Sequence, residues 1–155
     1  MNPTIRRAPE ESDRLLLIVV GAHLRAEAAD RPLAYDLREQ IDRWLSKQVE
    51  REAQRPLVLV CCDIWYVNQD VLHRHPLICL GEPSVNALSA HLANRLTPAL
   101  VRDQKLTIQL DPQFNDLRVC LWGVNSDLTS EALALFESRY LDAFLHAALD
   151  QQVGR

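Results

Sequence analysis

Leu77-Ile78-Cys79-Leu80-Gly81-Glu82-Pro83-Ser84-Val85-Asn86 decides how this chain is read. Its first four residues are apolar without a break, which marks a strand buried on both faces. Gly81 to Asn86 interrupts the run, and Val85, Leu88, Leu92 and Leu96 then recur at helical spacing. A strand that feeds straight into a helix aims the helix's free N–H groups at the loop above the strand's carboxyl end. Open α/β sheets bind their ligands there.

Working outward, the same grammar recurs. Leu15-Leu16-Leu17-Ile18-Val19-Val20 is a second continuous apolar run, ended by Gly21, and Leu57-Val58-Leu59-Val60-Cys61-Cys62 is a third. Between these two, Asp30 as N-cap and Pro32 in the first turn predict a helix. Leu33, Leu37, Ile41, Trp44, Leu45 and Val49 form its apolar stripe. Gln69 to Arg74 has room for a turn or two of helix only, because Pro76 disfavours helical geometry at His75. The second and third strands are therefore joined by roughly a dozen residues, near the lower limit for a parallel crossover.

The helix after Asn86 runs out near Thr97-Pro98. Lys105 to Leu110 alternates polar and apolar residues and predicts a half-exposed strand at an edge. Asp111-Pro112 and Asn115-Asp116 mark a short connection to Leu117-Arg118-Val119-Cys120-Leu121-Trp122, which favours antiparallel pairing. One long final helix is expected from Asp127 to Thr129 onward, carrying Leu128, Ala132, Leu135, Phe136, Tyr140, Phe144 and Ala147 towards the sheet. This order implies an α/β three-layer sandwich, with a mostly parallel, Rossmann-like or flavodoxin-like sheet and one antiparallel edge strand. Residues 1–13 read as a flexible leader, and 14–155 as a single α/β domain.

The totals narrow the classes of function. The net charge is −4 and the pI about 5.7, which argues against a dedicated nucleic-acid binder. No apolar run is long enough to span a bilayer, and Met1 to Arg14 has no apolar signal-peptide core. Four cysteines, none in a CxxC spacing, read as buried free thiols of a cytoplasmic protein. His73 and His75 have metal-compatible spacing but no evident third ligand, so they read as a surface pair and no metal site is expected. The sequence names no cofactor.

If the strands run parallel, four loops gather at one sheet edge. They supply Gly21 and His23, then Asp63, Trp65, Tyr66 and Asn68. The later loops add Gly81, Glu82, Ser84 and Asn86, then Gly123, Asn125, Ser126 and Asp127. Glu82 and Asp63 are the carboxylates best placed to share a cleft and divide acid and base roles. His23 is the histidine to test for catalysis. Gly21, Trp65, Asn68, Gly81, Ser84, Asn86 and Gly123 are the candidate ligand contacts. The N–H groups of Ser84, Val85 and Asn86 would suit an anion. GxxxxGK[ST] and GxGxxG are both absent, which excludes a P-loop and a dinucleotide fingerprint.

Leu77 to Asn86 also resembles the strand–Gly-(Gly)-Pro-x-x-Asn–helix segment of certain uncharacterised α/β domains, including some in archaeal surface-layer proteins. Trp122-Gly123, with Asp127 and Thr129 entering a helix, is similar to a later segment of them. Glu82 stands where those sequences usually carry a second glycine. The resemblance implies a Rossmann-like architecture and brings no catalytic residues with it.

The expected function is binding of a small anionic or nucleotide-like ligand at the carboxyl edge of the sheet. One alternative is a non-catalytic interaction or self-assembly module whose loops, or whose edge strand Leu106 to Leu110, meet a partner or another copy, and a homo-oligomer fits that reading. Another is an enzyme like a nucleotide N-glycosidase or deoxyribosyltransferase, with Glu82 as the reacting carboxylate and Trp65 or Tyr66 stacked on the base.

Overall fold

The structure is a computed structural model and describes residues 14–153; the leader expected at 1–13 lies outside them. Six strands form one sheet: β1 (Leu15–Val20), β2 (Leu57–Cys62), β3 (Leu77–Leu80), β4 (Pro98–Arg102), β5 (Leu106–Gln109) and β6 (Arg118–Gly123). Their spatial order is β2-β1-β3-β6-β5-β4. The first four in that order run parallel, and β5 and β4 are antiparallel to their neighbours. The expected mostly parallel sheet with an antiparallel edge is thus present.

Among the described residues five α-helices flank it: α1 (Leu24–Gln48), α2 (Asp63–Val67), α3 (Ala87–Leu92), α4 (Ser126–Arg139) and α5 (Leu141–Val153). The period-2 alternation of strand side chains divides the core in two. Leu16, Ile18, Val20, Ile78, Leu80, Val119 and Leu121 face Leu37, Ile41, Phe136 and Phe144 from the long helices. Leu15, Leu17, Val19, Leu77, Cys79 and Cys120 face Tyr66, Leu72, Leu88 and Leu92 from a much thinner layer. Continuous apolar strands are what two covered faces require, and every residue of β1 and β3 is buried. Among the described residues no helix is long and apolar enough to cross a membrane.

Five expectations need correction. The apolar run Leu57 to Cys62 is not a strand buried on both faces: β2 lies at one edge of the sheet, with only Val58 and Cys61 buried. The alternating strand is not at an edge: β5 pairs with β6 on one side and β4 on the other, and all four of its residues are buried. Gln109 is polar and yet buried because its amide donates to the carbonyls of Ala93 and Leu96, at the end of α3. β4 is the outer strand. It is joined to β5 by the three-residue connection 103–105, in which Asp103 and Gln104 both have positive φ, 53° and 57°, and the Lys105 N–H donates to the Arg102 carbonyl.

The first helix starts at Leu24, capped by the His23 side chain, and passes through Pro32. Asp30 is therefore not its cap but lies on its buried stripe, in line with Ala26, Ala34, Leu37 and Ile41. The long final helix is two: Tyr140, at φ −128° and ψ −25°, bends the chain between α4 and α5. Helical bonds still cross the bend, from Tyr140 N–H to Phe136 and from Phe144 N–H to Tyr140. Finally, His73 and His75 are not a surface pair: His75 is buried, with its Nδ1 accepting from the Leu15 N–H. Among the described residues no group of three metal-binding side chains occurs.

All four cysteines are free thiols; Cys61, Cys79 and Cys120 are buried, and Cys62 is partly so. Burial pushes the Cys61 thiol up to about 12, which removes the reactive thiolate. A thiol-reactive dye should modify the native protein slowly and the denatured, unreduced protein at all four cysteines. Fewer than four in the denatured chain would reveal a covalent link that the fold does not contain.

Candidate functional site

The sheet changes winding direction between β1 and β3, whose connections leave to opposite sides. In folds of this type that junction opens a crevice for ligands. Here the chain fills it. A Cβ on Gly21 would lie 1.8 Å from the Val85 carbonyl oxygen, so the loops after β1 and β3 touch backbone to backbone. Asp63, 4% exposed, locks them. Its carboxylate accepts from the N–H groups of Ala22 at 3.0 Å, Ile64 at 2.7 Å and Ala87 at 2.7 Å. One side chain thus ties together the loops that follow β1, β2 and β3.

The same closure consumes the helix N-terminus that was expected to hold an anion. α3 begins at Ala87, whose N–H goes to Asp63, while those of Leu88 and Ser89 go to Asn86 Oδ1. Val85 and Asn86 both donate to the Glu82 carbonyl. Pro83 sits in this turn, not in the helix. Asn86, buried, also donates from Nδ2 to the Leu80 carbonyl. Of the three N–H groups expected to meet an anion, those of Val85 and Asn86 are therefore taken inside the turn.

An open cleft lies beside the closed junction, towards β6. It measures about 380 Å³ and is walled by Arg25, Ala28, Ala29 and Asp30 of α1, by Glu82 and Val85, and by Gly123 to Ser126 and Thr129 at the start of α4. Asn125 caps α4 by accepting from the Leu128 N–H. The Thr129 hydroxyl bonds both the N–H and the carbonyl of Gly123, fixing that wall.

Asp30 is the chemical centre of the cleft. It is 5% exposed, and no donor among the described residues reaches its carboxylate. Burial, and secondarily the charge of Glu82, raise its pKa to about 6. Gly81 makes room for it. A Cβ there would approach Asp30 Oδ2 to 2.6 Å, and φ is +120°, a conformation that only glycine adopts easily. Glu82 is half-buried and faces Arg25 at 3.9 Å, a solvated pair of small energetic weight. Ala28 also lies here, and Pro32, four residues on, deprives its carbonyl of the usual helical donor.

Of the residues singled out in the sequence, Glu82 and Gly123 line the cleft and Gly81 backs it. Gly21 and Asn86 are buried in the closed junction, and Asp63 is spent on backbone N–H groups. His23 is exposed, with its ring occupied in capping α1. Trp65 packs on the thin layer's core, Asn68 donates to the Ile64 carbonyl, and Ser84 is exposed. Asp30 was missed. The available signal was its spacing of four from both Ala26 and Ala34, which places a carboxylate on an apolar stripe.

Two substitutions separate the roles of these carboxylates. Asp63→Asn sets an amide donor against backbone donors and should cost about 2–4 kcal/mol by urea unfolding. Asp30→Asn should do the opposite near neutral pH. With a folded-state pKa of about 6 against an unfolded value of 3.8, the native chain holds the extra proton. Stability is therefore lost as pH rises through that window. The loss is on the order of 1–2 kcal/mol once water in the open cleft is allowed for. The variant should lack this fall and be the more stable protein at pH 7.5; a less stable variant there would contradict the assignment.

Comparison of the chain with protein-family models, with curated proteins and with solved structures returns no match.

Proposed function

We propose that the cleft binds a small nucleotide-like ligand, held through hydroxyl or amino groups donated to Asp30 and Glu82. The observation that carries this reading is the Asp30 carboxyl itself. A buried polar group is ordinarily hydrogen-bonded, and this one lines a cavity and lacks a donor among the described residues. The volume of about 380 Å³ falls in the usual range for small-molecule sites, roughly 300–1,000 Å³. Sugar hydroxyls would supply the missing donors, as a ribose hydroxyl does to an acidic side chain in other open α/β sheets.

The lining favours this over a bare anion. Two carboxylates face one exposed guanidinium, and the α3 N–H groups are already taken. Any phosphate would sit towards Arg25 and the start of α4, away from Asp30. With a pKa of about 6, Asp30 also has what a general acid needs near neutral pH, which keeps cleavage of an N-glycosidic bond as the reaction class to assay. The interaction-module reading keeps its loops and loses only the edge strand it named, since β5 is paired on both sides.

A thermal-shift series with adenosine, AMP, ribose and inorganic phosphate tests the proposal. At a hundredfold excess over its dissociation constant a ligand adds about 2.7 kcal/mol, a Tm rise on the order of 5–10 °C for a chain of this size. A nucleoside or ribose should stabilise the protein, Asp30→Asn should lose most of the rise, and phosphate alone should give none. Stabilisation by phosphate alone, or an undiminished response from Asp30→Asn, would overturn it.

A further inference from the structure

The thin layer carries a second cavity, on the opposite face of the sheet from α1, α4 and α5. α2 has five residues and α3 six, too few to cover the sheet completely. Between them lies a groove of about 380 Å³, lined by Tyr66, Val67, His73, Ala87, Leu88, His91, Leu92 and Arg118. Arg118 shares strand parity with Cys120, so it rises from the sheet into this layer.

Three features of the groove point to a ligand. The Tyr66 residue is 5% exposed, and its hydroxyl finds no hydrogen-bond partner among the described residues. Arg118 gives Nε and Nη2 to Asp116 and keeps Nη1 without a partner among those residues. No residue lining the groove is acidic, while Val67, Leu88 and Leu92 supply an apolar wall. The His73 ring packs against Tyr66 at 4.7 Å between centroids and is fixed by the Tyr66 carbonyl, which holds the phenol in place.

We propose that this groove binds a small amphipathic carboxylate. Its apolar body lies against Val67, Leu88 and Leu92, and its carboxylate takes hydrogen bonds from the Tyr66 hydroxyl and Arg118 Nη1. Arg118 meets a carboxylate as a charge-assisted donor, and the phenol, which bonds no protein group among the described residues, adds a second donor at the groove wall. A cation would find two histidines and an arginine with no opposing carboxylate on the lining.

The test uses phenylacetate as the probe, with benzylamine and benzyl alcohol as charge controls, read by backbone amide NMR shifts and thermal stability of the whole chain. Phenylacetate should shift the amides of Tyr66, Val67, Leu88 and Leu92 and raise the Tm, and benzylamine should do neither. Tyr66→Phe keeps the packing and should weaken phenylacetate binding roughly tenfold. Arg118→Gln should remove the preference for phenylacetate over benzyl alcohol. Asp30→Asn, in the other cleft, should leave the phenylacetate affinity read from the amide shifts unchanged, whatever its effect on the Tm of the free protein. Absence of phenylacetate binding, equal binding of benzylamine, full affinity in Tyr66→Phe or loss in Asp30→Asn would each overturn the proposal.

Discussion

The carboxylate of Asp63 fixes the geometry on which the whole carboxyl edge of the sheet depends. Parallel strands deliver all their following loops to one edge, but they do not say whether those loops stand apart or close on each other. Asp63 decides it. By accepting from Ala22, Ile64 and Ala87 it draws the loops after β1, β2 and β3 together. The backbone contact between Gly21 and Val85 seals the gap. A buried charge is costly unless it is well hydrogen-bonded, and this one is compensated by oriented N–H groups instead of by a cation.

The consequence is a displaced site. With the junction between β1 and β3 filled, open space at the carboxyl edge lies between α1, Glu82 and the start of α4. Asp30 faces that space from a position where a helix of this kind would carry an alanine or leucine. It is accommodated only because Gly81 has no side chain. Natural sequences break their own packing rules mostly where function or strain requires it. A carboxyl on an apolar stripe, uncompensated and beside a cavity, is a break of that sort. The second groove has the same logic on the other face, where two short helices leave a tyrosine hydroxyl and an arginine nitrogen at the wall of an apolar space.

The central sheet was legible because β1, β3 and the apolar part of β6 are near-continuous hydrophobic runs, as doubly covered strands require; β2 carries the same kind of run at the sheet's edge, where Leu57 is exposed and Leu59, Val60 and Cys62 are only partly buried. The antiparallel edge was half legible. β4 opens on a proline, is largely exposed, and turns through Asp103-Gln104 without the glycine that usually marks such a hairpin. Thr107 and Gln109 gave β5 an amphipathic pattern although both are buried; Gln109 is polar because its amide meets carbonyls at the end of α3, a reason unrelated to solvent. At the site, Gly81, Glu82 and Gly123 were found by reasoning from loops. Asp30 was not, because Asp-x-Pro resembles a helix start so closely that the six residues before it were taken for a loop.

The account stands on Asp30 being a buried, uncompensated carboxyl at the wall of the cleft. Its titration, followed through the side-chain carboxyl carbon by NMR and assigned with Asp30→Asn, tests that most directly. A midpoint of about 6 is expected, falling only part of the way towards 3.8 in Glu82→Gln, because burial is the larger cause and the neighbouring charge the smaller. A midpoint near 3.8 in the unaltered protein would show a solvated carboxylate and contradict the account.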